Sequence, residues 1–330
     1  MNKKIAVIGE GSWATAIIKI LQENADKINW YIRHQESIDF IQKNKRNPNF
    51  LSSVKLNTEK LNLFTSVKDT IKDVDIVFLV VPSAFLKVTL GDISKNDFKN
   101  KMIISAIKGI VPDDYLTVCD FMHQKYDVPL SKLGVASGPS HAEEIAFERL
   151  TYLTISTQNY NDAQDIAKLF ASRYIRTTLS DDIFGTEYAT VMKNIMSVAS
   201  GICHGLGYGD NFQAVLISNA IREIKRFVDV VHPITRDIKN SVYLGDLLVT
   251  AYSTFSRNRT FGNMIGKGYS VKAAQLEMNM VAEGYYAVKG IYEINKKFNI
   301  DLAITNAVYN ILYEKISPGM EIKILIDLLN

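Results

Sequence analysis

Short apolar runs and helical spacings alternate along the first half of the chain. Ile5–Ile8 is an unbroken apolar run of strand length, and Thr15–Asn24 follows with Ile17, Ile18 and Leu21 at helical spacing. Ile28–Ile32 reads as a second strand, and Asp75–Val81 (DIVFLVV) as a β-branched run stopped by Pro82. Lys101–Ala106, Leu133–Ala136 and Thr151–Ser156 predict further strands. Strands of this kind, separated by helices, predict a parallel sheet covered on both faces. After about Asp181 the spacing changes. Val191, Ile195, Val198 and Ile202, then Leu216, Ala220, Ile224 and Val228, recur at threes and fours, as do Val271–Phe298 and the stretch from Ile304. The reading is an α/β domain over residues 1–184 followed by an all-α domain over residues 185–330, without internal repeat or long linker. A cleft where two such domains meet is the expected ligand site.

Composition narrows the function classes. A length of 330 residues suits two domains, and 47% hydrophobic with 22% charged residues excludes a disordered chain. A net charge of +3 excludes binding to nucleic acid or anionic membranes by bulk charge. Cys119 and Cys203 are too few for a disulfide framework or a cysteine zinc site, and Cys203 and His204 lack partners at metal spacing, so no metal is expected. No run of about 18 apolar residues suggests a membrane span, and MNKKIAVIGEGS has no signal-peptide pattern. The expected setting is the cytoplasm.

The first strand runs into Gly9-Glu10-Gly11-Ser12-Trp13-Ala14. Gly9 and Gly11 permit a tight turn and close backbone approach to a pyrophosphate, and a helix opening near Ser12 aims its N–H groups at that anion. Ala14 takes the third, small position of the dinucleotide fingerprint. Its context, after a strand and before a helix, is the one the motif requires. Trp13 would lie beside the cofactor or serve as a packing aromatic. Past the second strand, Arg33 stands where an NAD enzyme offers an acid to the ribose 2′-hydroxyl, so NADP is the expected cofactor, with NAD retained.

Further polar clusters lie among small or apolar residues: Lys108-Gly109, Ser137-Gly138-Pro139-Ser140-His141-Ala142-Glu143-Glu144, Lys193-Asn194, Leu244-Gly245-Asp246 and Ser256-Arg257-Asn258-Arg259. Together, GEGSWATA, the KG pair at 108, GPSHAEE, VMKNIMSVASGICHGLGYGDN, LGDLLVT, SRNRTFG and the VAEGY around Glu283 resemble the bacterial-type NAD(P)-dependent glycerol-3-phosphate dehydrogenases. The segments run in family order from residue 5 to residue 286.

The resemblance implies a Rossmann-type doubly wound sheet followed by a helical domain. It implies reversible reduction of dihydroxyacetone phosphate to sn-glycerol 3-phosphate, supplying phospholipid synthesis. Lys193 maps onto the proton donor, and Asp246 onto a group that orients it or binds a substrate hydroxyl. Arg257, Asn258 and Ser256 match the phosphate grip, with Arg257 also touching the cofactor. Lys108, Gly138 and Ser140 map onto the carbonyl end. Gly9, Gly11, Ser12, Trp13, Lys108, Ala142, Val281 and Glu283 map onto cofactor contacts, joined by Arg33, His34 and Phe50. Members of the family are often dimers, so a second copy of the chain is an expected partner.

Several features temper that reading. On a helix, Ser197 and Gly201 share the face of Lys193, which predicts room for a ligand there. Asp246 would raise the Lys193 pKa, while Lys108 and Arg257 would lower it, and the sequence leaves the balance open. Asp246 also reads as a helix cap, and the run 257–259 as a solvated basic face. Gln213 stands where many members of the family are basic, and Asn240-Ser241-Val242-Tyr243 is bulkier than the usual small-residue run. Two other functions remain: a related dehydrogenase of a β-hydroxyacid or 6-phosphogluconate-like substrate, and a non-catalytic NADP-binding sensor.

Overall fold

The computed structural model describes residues 3–278 and 280–330. The chain divides into two compact units. One comprises the residues up to Ile107 with Val118–Ile183, and the other Lys108–Thr117 with Phe184–Asn330. The division differs from the expected 1–184 and 185–330 by one residue at Phe184 and by one excursion, Lys108–Thr117. The physical reason is local. Ile110 is buried in the helical core, the Asn194 amide donates to the Lys108 carbonyl at 2.7 Å, and a short Val111–Leu116 bridge folds the segment on itself.

In the first unit, strands and helices follow as β1 (Ile5–Ile8), α1 (Ser12–Asn24), β2 (Ile28–Tyr31), α2 (Gln35–Asn44), β3 (Leu61–Phe64), α3 (Val67–Ile71), β4 (Ile76–Leu79), α4 (Leu86–Thr89) and β5 (Met102–Ser105). Then come α5 (Val118–Tyr126), β6 (Leu133–Ser137), α6 (Ala142–Ala146), β7 (Thr151–Thr157), α7 (Tyr160–Phe170) and β8 (Ile175–Ser180). One sheet takes the order β3-β2-β1-β4-β5-β6-β7-β8. It is the doubly wound, Rossmann-type order, with the switch between β1 and β4. Ile5, Val7, Ile17, Leu21, Trp30 and Phe78 form its core.

Two features differ from the expected parallel sheet. β7 pairs antiparallel with β6, Ser137 opposite Thr154. The only helix in that connection, α6, has five residues, about 7.5 Å, too little to carry the chain back along β6. β3 and β8 were also not anticipated. Both lie at sheet edges and carry polar residues such as Asn62, Arg176 and Thr178, so neither shows the apolar run of a central strand.

The second unit is helical: α8 (Ile183–Gly205, its first residue still in the first unit), α9 (Asp210–Val231), α10 (Asp246–Tyr252), α11 (Arg257–Gly266), α12 (Val271–Glu277), α13 (Glu283–Asn295), α14 (Ala303–Leu312) and α15 (Pro318–Ile326). Helix α8 is its axis, and glycines let the neighbours reach its backbone. A Cβ at Gly201 would lie 2.1 Å from the Arg259 carbonyl oxygen, and one at Gly262 would lie 2.1 Å from that of Val198. Gly205 and Gly266 repeat the interlock one turn on, against Asn263 and Ile202, and Gly284 of α13 meets the Asn194 carbonyl. The space expected beside Gly201 for a ligand is therefore filled by α11.

A distant carboxylate fixes α14. Glu223 of α9, buried, accepts from the Ile304 and Thr305 N–H groups at 2.8 and 2.9 Å and from the Thr305 hydroxyl at 2.7 Å. It thereby serves the first turn of a helix whose own N-cap, Leu302, has no polar side chain. No described helix is long and apolar enough to cross a membrane.

The interlock predicts a contrast. Gly201→Ala forces α11 off α8 and lowers unfolding stability by about 1–3 kcal/mol. Gly319→Ala, with nothing within 4 Å of its Cβ, changes it by less than about 0.5 kcal/mol. Urea titration monitored by circular dichroism measures both, and equal midpoints would remove the close crossing from the account.

Candidate active site

In the first unit the chain leaves β1 at Gly9, whose φ is +134°. A Cβ there would lie 2.4 Å from the Val80 carbonyl oxygen, so only glycine fits. Gly11 is the N-cap of α1 and brings no side chain to the first N–H groups of that helix, whose first turn also lacks an acid. Those donors suit an anion, and the open space at the Gly11 Cβ position leaves the backbone approachable. The turn thus fits a dinucleotide pyrophosphate. Ala14 is fully buried, so its methyl packs without disturbing the helix.

Side chains lock this turn. The Trp30 indole N–H donates to the Gly9 carbonyl at 2.6 Å. Buried Asn47 donates to the Glu10 carbonyl and to the Thr15 hydroxyl, both at 2.9 Å. The Asn47 carbonyl oxygen accepts from the Asn49 and Phe50 N–H groups at 3.0 and 3.1 Å, which ties Phe50 to the glycine turn. Ser12 is buried at the start of α1, and the Trp13 indole donates to the Ala106 carbonyl at 3.1 Å. Past β2, the Arg33 N–H donates to the Glu10 carboxylate at 3.1 Å, and the side chains of Arg33 and His34 are exposed. At the far end of β6, Gly138 also has φ +134°, and a Cβ there would lie 2.8 Å from the Tyr152 carbonyl oxygen. The Ser140 hydroxyl donates to the Gly138 carbonyl at 2.8 Å, and Ala142 opens α6, buried.

The second unit holds a compact ionic cluster. Lys193 of α8 is 3% exposed and Asp246, at the start of α10, is 1% exposed. The Lys193 ammonium pairs with one Asp246 carboxylate oxygen, and the Lys108 ammonium lies 3.7 Å from the other. The Lys193 ammonium also donates to the Thr250 hydroxyl at 3.0 Å, and that hydroxyl donates to the Asp246 carbonyl at 2.6 Å. Burial pushes the Lys193 amine down to about 7, Asp246 opposes the fall and Lys108 adds to it. Burial decides the balance left open by the sequence. Asp246 is not a cap in the usual sense, because its carboxylate faces the two lysines.

Next to this cluster, the Ser197 hydroxyl donates to the Thr250 carbonyl at 2.8 Å and meets the Ser256 hydroxyl at 2.8 Å. Ser256 caps α11, accepting from the Arg259 N–H at 3.3 Å. Its hydroxyl is thus occupied by the protein, and Arg257 follows it, half-buried, as the first residue of α11. Asn258 is buried, and its side-chain oxygen accepts from the Gly284 N–H at 2.9 Å. That bond joins the opening turns of α11 and α13, so Arg257 and Glu283 start adjoining helices, with Val281 two residues before Glu283.

Two family models match the chain: the NAD-dependent glycerol-3-phosphate dehydrogenase N-terminus over residues 4–163, and the C-terminus over residues 182–323. A glycerol-3-phosphate dehydrogenase (NAD(P)+) of Bacillus pumilus is 34% identical over 324 residues, covering 97% of this chain and 93% of that one. The chain belongs to the NAD-dependent glycerol-3-phosphate dehydrogenase family. It is accordingly an oxidoreductase that takes NAD or NADP. A Staphylococcus aureus enzyme of the same name is 34% identical and covers 98% of each chain. The crystal structure of glycerol-3-phosphate dehydrogenase from Coxiella burnetii superposes with a TM-score of 0.91 at 27% identity, over 98% of this chain and 99% of that one.

Membership of this dehydrogenase family makes the two sequence departures worth locating. Gln213 is buried and faces inward: its amide donates to the Ser200 carbonyl at 3.0 Å and its oxygen accepts from the Ser200 hydroxyl at 2.8 Å. It clasps α9 to α8. The bulky segment before Asp246 becomes a π-helical turn, Ser241–Gly245, that buries Val242 and Tyr243 in the core. Two residues given no role from sequence, Thr250 and Asn194, bind the cluster directly or through Lys108. The signal was present, because Thr250 lies four residues past Asp246 and Asn194 is adjacent to Lys193.

Gln213→Leu keeps the volume but removes both bonds between this side chain and Ser200, leaving the Ser200 hydroxyl its bond to the Ala251 carbonyl. It lowers unfolding stability by about 1–3 kcal/mol and leaves KM for a phosphorylated triose unchanged within about twofold. A large KM change with unaltered stability would return Gln213 to the substrate side.

Proposed function

We propose that this dehydrogenase interconverts dihydroxyacetone phosphate and sn-glycerol 3-phosphate, with the first unit holding the dinucleotide and the second holding the substrate. The observation that carries the reading is the buried Lys193–Asp246–Lys108 cluster with Thr250. An amine poised near neutral pH is suited to give a proton to a developing alkoxide and to take it back in oxidation. When bound, the nicotinamide supplies or accepts the hydride.

The roles of the chain's own residues follow from their surroundings. Lys193 donates its proton to the carbonyl oxygen of the ketone during reduction. Asp246 keeps that amine charged in spite of burial, and Thr250 fixes its direction. Lys108 adds a second positive charge and favours negative charge growing on the same oxygen. The family resemblance assigns Gly138 and Ser140 to the carbonyl end. Arg257 offers a planar, permanently charged fork to the phosphate dianion, with the Asn258 amide beside it. Ser256 holds the α11 terminus in place through Ser197, so its contribution to the phosphate grip is positional.

Around the dinucleotide, Gly9, Gly11 and Ser12 line the pyrophosphate turn, and Arg33 and His34 lie at the β2 end. Trp13, Phe50, Lys108, Ala142, Arg257, Val281 and Glu283 complete the proposed contacts. The product would feed phospholipid synthesis in the cytoplasm, with the chain acting as a homodimer, as the family resemblance implies.

Lys193→Ala cuts kcat by about 10²–10⁴-fold while the dissociation constant for the dinucleotide holds. Stopped-flow turnover and calorimetry separate the two, and a near-normal kcat would exclude Lys193 as the proton donor. The pH profile has a definite sign. Reduction needs the ammonium, so it is steady below about 7 and falls about tenfold per pH unit above it, whereas oxidation needs the neutral amine and rises through the same point. Asp246→Asn removes the group that raises the pKa and moves that midpoint to lower pH. Arg257→Ala raises KM for dihydroxyacetone phosphate by at least about tenfold with a smaller effect on kcat. Unchanged KM in initial-rate assays would remove Arg257 from the phosphate grip.

A further inference from the structure

The glycine turn carries a charged side chain that the proposed reaction has not used. Glu10 lies between Gly9 and Gly11, and Ile8 of β1 is paired with Tyr31 of β2, so the turn leaves the sheet beside the chain that leaves β2 at Ile32 and Arg33. The Glu10 side chain reaches across this gap, and one carboxylate oxygen accepts the Arg33 N–H at 3.1 Å. The backbone on both sides is held. Trp30 binds the Gly9 carbonyl at 2.6 Å and Asn47 the Glu10 carbonyl at 2.9 Å, so the carboxylate is delivered from a fixed turn. The phenol of Tyr31 has its pKa raised first by burial and then by Glu10, with Arg33 acting against it, so both charges bear on the same spot.

The end of β2 in a sheet of this order is where an adenine ribose is read. A carboxylate there accepts the 2′-hydroxyl hydrogen bond of NAD, and an arginine accommodates the 2′-phosphate of NADP. This chain has no acid on β2 itself between Ile28 and His34. We propose that Glu10, reaching over from the β1 turn, supplies the missing acid, and that it sets cofactor choice by binding the ribose 2′-hydroxyl and repelling a 2′-phosphate. Arg33 works in the opposite sense from the adjacent position. On this proposal NAD is bound at least as well as NADP, against the preference for NADP that Arg33 alone would give.

This inference rests on the dinucleotide reading of the first unit, and one set of measurements separates the two. The intact protein and its Glu10→Gln variant are titrated by calorimetry with NAD+, NADP+, 5′-AMP and adenosine 2′,5′-bisphosphate, and kcat/KM is measured with NADH and NADPH. Glutamine keeps an oxygen for the Arg33 N–H, so the turn is retained while the charge is lost. The expected result is a shift of the NADP+/NAD+ affinity ratio toward NADP+ by about tenfold or more, matched by the fragment pair. Arg33→Ala should shift the ratio the other way. If the variant binds both dinucleotides with an unchanged ratio, or weakens both equally, Glu10 only holds the turn and the inference is overturned. If wild-type protein binds no dinucleotide, the cofactor reading falls with it.

Discussion

The structure turns on a single awkward requirement, the placing of an ammonium group where water cannot reach it. Lys193 sits on the central helix of the second unit with 3% exposure, and burial alone would strip its charge. The Asp246 carboxylate, itself buried, restores part of that charge, while Lys108 competes for the same carboxylate from a position that is 20% exposed. Two cations thus share one carboxylate. A surface lysine would hold its proton to a pKa of about 10.4, too tightly to exchange it near neutrality, and a buried lysine alone would hold it too weakly. The cluster lies between these limits, which is where proton transfer is fastest at cellular pH.

Such a cluster survives only if the elements carrying it cannot drift. Lys193 comes from α8, Asp246 and Thr250 from α10, and Lys108 from a loop that belongs to the helical core. Their mutual distances depend on how closely the helices pack. Paired glycines on α8 and α11 bring backbone against backbone, and the Ser197–Ser256 contact lies one turn from Gly201 on the same face. The start of α11 is thereby placed within a hydrogen bond of the lysine helix. Asn258 extends the same scaffold to α13 through the Gly284 N–H. Small residues on the lysine face thus serve close helix packing, while Asp246, Arg257 and Glu283 stand at helix starts.

β1, β4 and β5 were legible because burial on both faces demands continuous apolar runs, and β2, β6 and β7 because enough apolar or β-branched residues stand in each at strand length. β3 and β8 were hidden for the converse reason, since edge strands with polar residues look like loops. The direction of β7 depends on how short a helix joins it to β6, which periodicity does not report. Lys108–Thr117 groups with the helical unit through tertiary contacts of Ile110 and Asn194, which no local pattern in the sequence reports. In the site, the residue types at Lys193, Asp246 and Arg257 were readable through resemblance to a family. The direction of the Lys193 shift was not, because it is a contest between solvation and charge that only burial resolves. Thr250 and Asn194 were overlooked because a hydroxyl or amide is too common to stand out before its partner is known.

The departures from the family pattern follow a physical division. Gln213 and Tyr243 change the chemistry of their positions, yet the structure turns both inward. The amide of Gln213 is satisfied by Ser200 and the ring of Tyr243 is absorbed by the core. Buried groups that already serve packing and hydrogen bonding within the protein are poorly placed to recognise a ligand. Glu10, in the glycine turn, is placed otherwise. Only one of its carboxylate oxygens is bonded among the described residues, and it is half-buried at the rim of a turn whose backbone is fixed from two sides. A charge held rigidly with an oxygen to spare costs little to reorganise when a partner arrives, so its discrimination between a hydroxyl and a phosphate would be nearly undiminished. A polar side chain thus keeps capacity for a ligand only to the extent that its atoms are not already bound within the protein.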